Sequence, residues 1–392
     1  TDVLMDSKCM NPIIFFDELD KISNTEHGKE ITGILTHLTD MTQNDTFTDK
    51  YFTGIDIDLS KVLFIFSYND SSKIDPILRD RITEVRINPL TTIDKIHICN
   101  DFLFPEILEN LGYIKNDFII NEEDIIYLID SYTYEAGVRK LKEKIVDIFR
   151  IINLERIYGS DIELPVIISR DKIDDILSKK PKIIFKKIAT KPFVGLVNGL
   201  YATTAGVGGI TIIEVNKTHS ETKFSLELTG QQGDVMKESM KCAKTIAWNL
   251  LPLEYKKKIN DDWKNNGSWG LHIHTPEAAT PKDGPSAGGA ITLCIISQLT
   301  GIPVRNNVAM TGEIDLCGNI KQIGGLISKL NGAKKAGVDT VLIPEDNLED
   351  LKIIRKDGLS PEDDKFKVIV VYTIHDILKY ALLDNNIDFN KN

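Results

Sequence analysis

The chain lacks several things that would have fixed its chemistry at once. No run approaches 18 apolar residues, which argues against a membrane-spanning helix. No CxxC pair and no HExxH occur, so neither a cysteine-based zinc site nor a zinc-peptidase helix is signalled. The five cysteines, Cys9, Cys99, Cys242, Cys294 and Cys317, are odd in number and scattered. That fits a reducing compartment without a disulfide framework. No signal peptide is evident, and no GxxxxGKS or GxxxxGKT phosphate loop is present. Positive charge is in deficit: 47 Lys and Arg face 58 Asp and Glu, a net charge of −11. The balance disfavours nucleic acid as the main partner, local basic patches aside.

What is present is a globular composition. Of 392 residues, 42% are apolar and 27% charged, enough for two or three domains with ample core. The chain begins at Thr1 and enters a structured pattern at once, which predicts a piece of a longer protein. Two continuous apolar runs, Pro12–Phe16 and Val62–Phe66, end in Asp17-Glu18 and Ser67-Tyr68-Asn69. Such runs predict strands buried on both faces of a parallel sheet, with polar residues delivered to the C-terminal edge where ligands bind. From Thr91 to Tyr158 the periodicity turns helical. Lys179-Lys180-Pro181-Lys182 reads as a solvated linker. Beyond Ile183 strands and helices mix, with buried strands expected at Val341–Pro344 and Val368–Val371. Leu271–His274 alternates, which sets His272 and His274 on one face.

Two segments carry chemistry. Thr280-Pro281-Lys282-Asp283-Gly284-Pro285-Ser286-Ala287-Gly288-Gly289 puts a serine on a turn before the apolar run Ala290–Ile296. Unpaired N–H groups at such a helix start can hold negative charge beside the hydroxyl, an arrangement suited to acyl transfer. Serine is equally a favoured helix cap, and that reading needs no chemistry. The second segment is Gly324-Gly325-Leu326-Ile327-Ser328-Lys329-Leu330. Leu326, Leu330 and Ala333 form an apolar stripe with Lys329 on its border. Lys329 could snorkel to water. As a base it would need its pKa lowered from ~10.4 toward ~7–8, and could then take a proton from a serine hydroxyl. Asp283 and His274 read as turn and strand-face residues rather than catalytic ones.

Together these segments resemble the Lon proteases, ATP-dependent AAA+ serine proteases. His272–Gly288 is similar to the family's catalytic-serine signature, of the type without a membrane anchor, which makes Ser286 the nucleophile. Ala309–Ile314 resembles the next family segment, with Thr311 orienting the lysine. Gly324–Leu330 resembles the lysine segment, with Lys329 as general base. Upstream, Asp17 and Glu18 resemble the Walker B pair, Asp17 supporting Mg²⁺ through the nucleotide in a complete protein. Asn69 resembles sensor 1, Arg81 the arginine finger, and Arg139 in Tyr132–Arg139 the sensor-2 arginine. Ala278 stands where the family usually has glycine, and Ile327-Ser328 where it has a charged pair.

The resemblance implies an α/β plus α+β multidomain fold. Its expected parts are a partial AAA+ α/β module over residues 1–90, a helical lid and linker over 91–182, and a peptidase domain over 183–392. It implies a hexameric ring acting on unfolded or damaged proteins in the cytoplasm, or alternatively the mitochondrial matrix, with ATP and Mg²⁺ used by the complete protein. Without its phosphate loop this chain is expected not to hydrolyse ATP. The alternatives are a catalytically silent ring-forming chaperone or assembly module, and a nucleic-acid-binding regulator.

Overall fold

A computed structural model describes all residues except 1, 50, 52–53, 86, 88, 160–161, 204–205, 277–282, 385–388 and 390–392. The chain divides into two compact units, Thr1–Ile87 and Asn88–Asn392.

In the first unit the two apolar runs become β1 (Ile13–Phe16) and β2 (Leu63–Phe66), paired in parallel with Ile13 opposite Leu63. Two helices follow the strands in the chain, α1 (Glu26–Thr39) and α2 (Pro76–Asp80). Thr25 caps α1 by accepting from Gly28 N, and Asp75 caps α2 by accepting from Ile77 N and Leu78 N. Leu35 and Leu78 join Leu19 and Ile74 in a small core, with Phe16 and Phe66 packed against it. The expectation of strands buried on both faces fails here. Ile13 is 66% exposed and Phe15 58%. Strand side chains alternate, so the core reaches one face only, and the other carries the exposed residues.

The second unit opens with helices: α3 (Thr92–Ile98), α4 (Phe104–Leu111), α5 (Glu122–Tyr132), α6 (Arg139–Ile157) and α7 (Arg170–Ile176). A capping box between Thr91 and Asp94 starts α3. Leu141, Ile145, Ile148 and Ile152 recur at helical spacing on α6 and are fully buried in the shared core. Lys182 is not merely solvated. Its ammonium pairs with Asp174 at 2.9 Å and bonds the Tyr127 hydroxyl.

The remainder is built on a mixed seven-stranded sheet. Its strands are β3 (Leu196–Ala202), β4 (Gly208–His219), β5 (Leu226–Thr229), β6 (Trp269–His274), β7 (Val308–Met310), β8 (Thr340–Pro344) and β9 (Lys367–Val371). The spatial order is β9-β8-β7-β3-β4-β6-β5. Five helices complete it: α8 (Asp234–Leu250), α9 (Leu253–Asn266), α10 (Gly288–Thr300), α11 (Leu326–Ala336) and α12 (Leu348–Lys356), before α13 (Ile374–Ala381) ends the fold. Alternation divides the strand residues between two cores. Leu342 and Met310 join α8, α10 and α13 on one face, while Val341, Ile343 and Ala309 join α11 and α12 on the other. Helix α10 is apolar all round and almost wholly buried, which explains its continuous hydrophobic sequence. Among the described residues no helix is long and apolar enough to cross a membrane.

Candidate active site

Three of the sequence-predicted residues converge at the C-terminal end of β7. Ser286 lies in the short turn Pro285–Ala287, entered through Gly284 at φ 135, a conformation that side chains disfavour. The residue immediately before α10 is Ala287, so Ser286 is not its cap. Among the described residues the Ser286 hydroxyl has no hydrogen-bond partner. Its backbone is fixed instead: Gly312 N donates to Ser286 O at 2.7 Å, and Gly289 N donates to Gly312 O at 3.1 Å. Residues 277–282 of the serine segment lie outside the described residues.

Thr311 follows β7 directly and is 1% exposed. Its hydroxyl donates to Ser286 O at 3.4 Å and accepts from the Lys329 ammonium at 3.1 Å. Lys329, in the first turn of α11, is 4% exposed and does not snorkel. Burial lowers its pKa from the usual 10.5 to about 8. A shift of that size corresponds to about 3 kcal/mol against the charged form. Ser286 and Lys329 thus meet on two sides of one threonine, with no direct hydrogen bond between them among the described residues. Catalytic hydrogen bonds commonly tighten only when substrate arrives.

Asn347 supports this centre without having stood out in the sequence. Asn347 is fully buried and grips Ile323, just before α11: its Oδ1 accepts from Ile323 N at 2.9 Å and its Nδ2 donates to Ile323 O at 2.8 Å. Asp283 accepts from Gly284 N and from Met236 N, both at 3.0 Å, so it stabilises its own turn and the start of α8. His272 and His274 do share a face, and both bond the Thr229 hydroxyl, at 2.8 and 2.7 Å. Gly284 apart, each of these partners is distant in sequence, so spacing alone could not have shown them.

The nucleotide-type residues divide. At the ends of β1 and β2, Asp17 accepts from Glu18 N at 3.0 Å and from the Ser67 hydroxyl. Glu18 adopts the left-handed conformation, φ 56, and Asn69 N donates to Asp20 at 3.4 Å. Arg81 pairs with Asp40 at 2.9 Å. Arg139 begins α6 in the other unit. One carboxylate at a strand end could support a cation held by a nucleotide. No phosphate loop exists in the sequence to hold that nucleotide. Among the described residues no group of three or more His, Cys, Asp or Glu is placed to hold a metal.

Known proteins match nearly the whole chain. The Lon protease (S16) C-terminal proteolytic domain matches residues 167–384. The Lon protease AAA+ ATPase lid domain matches 109–162. The ATPase family associated with various cellular activities matches 2–90. A Lon protease homolog of Acanthamoeba polyphaga mimivirus is 35% identical over 438 residues, 96% of this chain and 42% of that protein. Lon protease of Campylobacter jejuni is 39% identical over 389 residues, 98% of this chain and 48% of its own length. That of Methanosphaera stadtmanae is 38% identical over 341 residues, 87% of this chain and 40% of its own. The chain spans a little under half the length of these curated relatives.

Proposed function

The chain belongs to the Lon protease family, and from that premise we propose that residues 183–392 form a Ser-Lys endopeptidase domain. The observation that carries the reading is the buried Lys329 ammonium on Thr311, whose hydroxyl in turn reaches the Ser286 backbone. Unprotonated Lys329 takes the proton of Ser286 Oγ. That oxygen bonds the peptide carbonyl carbon, and backbone N–H groups around Ser286 hold the developing oxyanion. The carbon–nitrogen bond then breaks as Lys329 passes its proton to the leaving amine. Water hydrolyses the acyl-serine by the same steps in reverse. Thr311 orients the lysine throughout.

Residues 1–90 and 91–182 act in this reading as part of an AAA+ module and its lid. Asp17, Glu18, Asn69, Arg81 and Arg139 serve ATP and Mg²⁺ in a complete, hexameric protein that threads unfolded or damaged substrates. This chain by itself turns over no ATP.

The test is cleavage of an unstructured fluorogenic peptide. Ser286→Ala and Lys329→Ala should each abolish it, and a fluorophosphonate should label Ser286 in the parent chain. Activity should rise with pH through about 8 as Lys329 loses its proton. Cleavage at the parent rate by either variant rejects the dyad. An unlabelled, inactive parent chain would favour a silent chaperone or assembly module instead.

A further inference from the structure

Strands β7, β8 and β9 run parallel, and Thr311 follows the C-terminal end of β7. At their opposite, N-terminal ends they border an open cleft of about 450 Å³. Four cationic side chains line it: Arg305 ahead of β7, Lys365 just before β9, Lys367 at its start, and Lys379 in the last turn of α13. The backbone behind them is fixed. Arg305 N donates to Ala381 O at 2.9 Å and its Nε to Leu382 O at 3.3 Å. Both terminal nitrogens of its guanidinium are without a partner among the described residues. Lys365 and Lys367 flank Phe366, which is 2% exposed and anchors that stretch. Asp363 accepts from Lys365 N and Phe366 N, both at 2.8 Å.

Two carboxylates also line the cleft, and neither neutralises these cations. Asp339 is taken up by uncharged donors: Asn307 Nδ2 at 2.6 Å and the Thr340 hydroxyl at 2.9 Å. Asp364 is exposed and makes no ion pair among the described residues. None of the four cations forms a salt bridge there either. A lone exposed lysine is ordinary, because a surface ion pair contributes little. Four cations lining one cleft without a counter-charge are a different case. Like charges raise one another's energy, and this local excess stands in a chain whose net charge is −11.

We propose that this cleft binds a compact phosphate-type anion carrying two or more negative charges. The guanidinium fork of Arg305 fits two phosphate oxygens at once, and the three ammonium groups act as point charges around them. Asn307 Nδ2 keeps a second hydrogen for an acceptor. Against four cations the two carboxylates leave an excess that a singly charged ligand does not match. A long polyanion such as nucleic acid is disfavoured, because the positive charge is confined to the cleft and the rest of the chain is acidic. The cleft holds none of Ser286, Thr311 and Lys329, so the proposal does not rest on the peptidase reading.

Isothermal titration of the full chain with inorganic diphosphate, without nucleotide or divalent metal, tests the site. The parent chain should bind diphosphate, and less tightly as salt rises. Lys367→Gln and Arg305→Gln should each weaken binding by about tenfold or more. Arg305→Lys keeps the charge without the fork and should still lose severalfold. Lys352→Gln removes a positive charge from α12, outside the cleft, and should leave the affinity unmoved. If Arg305→Gln fails to fold for want of its bond to Leu382, Lys365→Gln and Lys379→Gln replace it, both at exposed positions. A parent chain that does not bind overturns the proposal, and so do cleft variants that bind as the parent does. An equal loss in Lys352→Gln overturns it too, as a diffuse response to charge. So does an equal loss in Arg81→Gln or Arg139→Gln, which would put the anion on the nucleotide-type residues. Citrate bound as tightly as diphosphate would reject the phosphate assignment, since charge alone would then suffice. None of these outcomes bears on Ser286, whose role the cleavage assay decides separately.

Discussion

Val341, Leu342 and Ile343 of β8 are fully buried, whereas Ile13 and Phe15 of β1 are 66% and 58% exposed. Both strands are short apolar runs in parallel pairings. The difference lies in what surrounds them. Strand β8 has packed helices on both faces, α10 and α13 on one and α11 and α12 on the other. Strand β1 meets a four-residue core on one face alone. An apolar run therefore states a demand for cover, and the neighbouring elements decide how far it is met. The consequence is energetic. Large-to-small changes in a sealed core leave a cavity, while the same change on an open face mainly returns surface to water.

Four measurements test this contrast. The largest effect concerns chemistry: Lys329→Ala should lower peptide cleavage by about 10³-fold or more, while Phe15→Ser in the first unit leaves it unchanged. Equal losses would mean that the open face takes part in the site. Next comes packing. Leu330→Ala, at a fully buried position, should cost about 3 kcal/mol in urea unfolding, against under ~1 kcal/mol for Phe15→Ala. Comparable costs would show that the β1 face is covered in solution.

Third is the lysine's own burden. Its folded pKa of about 8 lies below the ordinary 10.5, so the unfolded chain binds the extra proton between those values. The penalty is present in full below pH 8 and fades as pH rises to 10.5. Lys329→Met should thus stabilise the fold by about 3 kcal/mol at neutral pH and by little above that window. A variant that is no more stable at neutral pH would mean that the ammonium is hydrated. Smallest are the local caps. Thr25→Ala in the first unit and Asp283→Ala in the second should each cost about 1 kcal/mol, because capping acts within one turn and ignores what lies beyond. Thermal melts in which one cap costs several times the other would contradict that equality.

The same distinction governs what could be read in advance. Strand positions at Ile13–Phe16, Val341–Pro344 and Val368–Val371 were legible because continuous apolar runs need no knowledge of neighbours. So was the turn at Ser286, which glycine and proline announce. The short strand β7 was not read, since Val308–Met310 is three residues among polar ones. The exposure of β1 could not be read either, because it depends on which faces receive a layer. Within the site, residue types pointed to Ser286 and Lys329. The burial of Lys329 and the Asn347 grip on Ile323 arise only when distant segments pack.

Thr311 has a single hydroxyl hydrogen, and it points at Ser286 O. Toward Lys329 the threonine therefore offers lone pairs only, and it receives an N–H from the amine. When the ammonium loses a proton, the one it keeps on Thr311 is held by that acceptor. The vacated electron pair must then face elsewhere, with no hydrogen from Thr311 to quench it. One side chain of three heavy atoms beyond the backbone would in this way give proton transfer its direction, and Thr311→Val, alike in shape, would remove it.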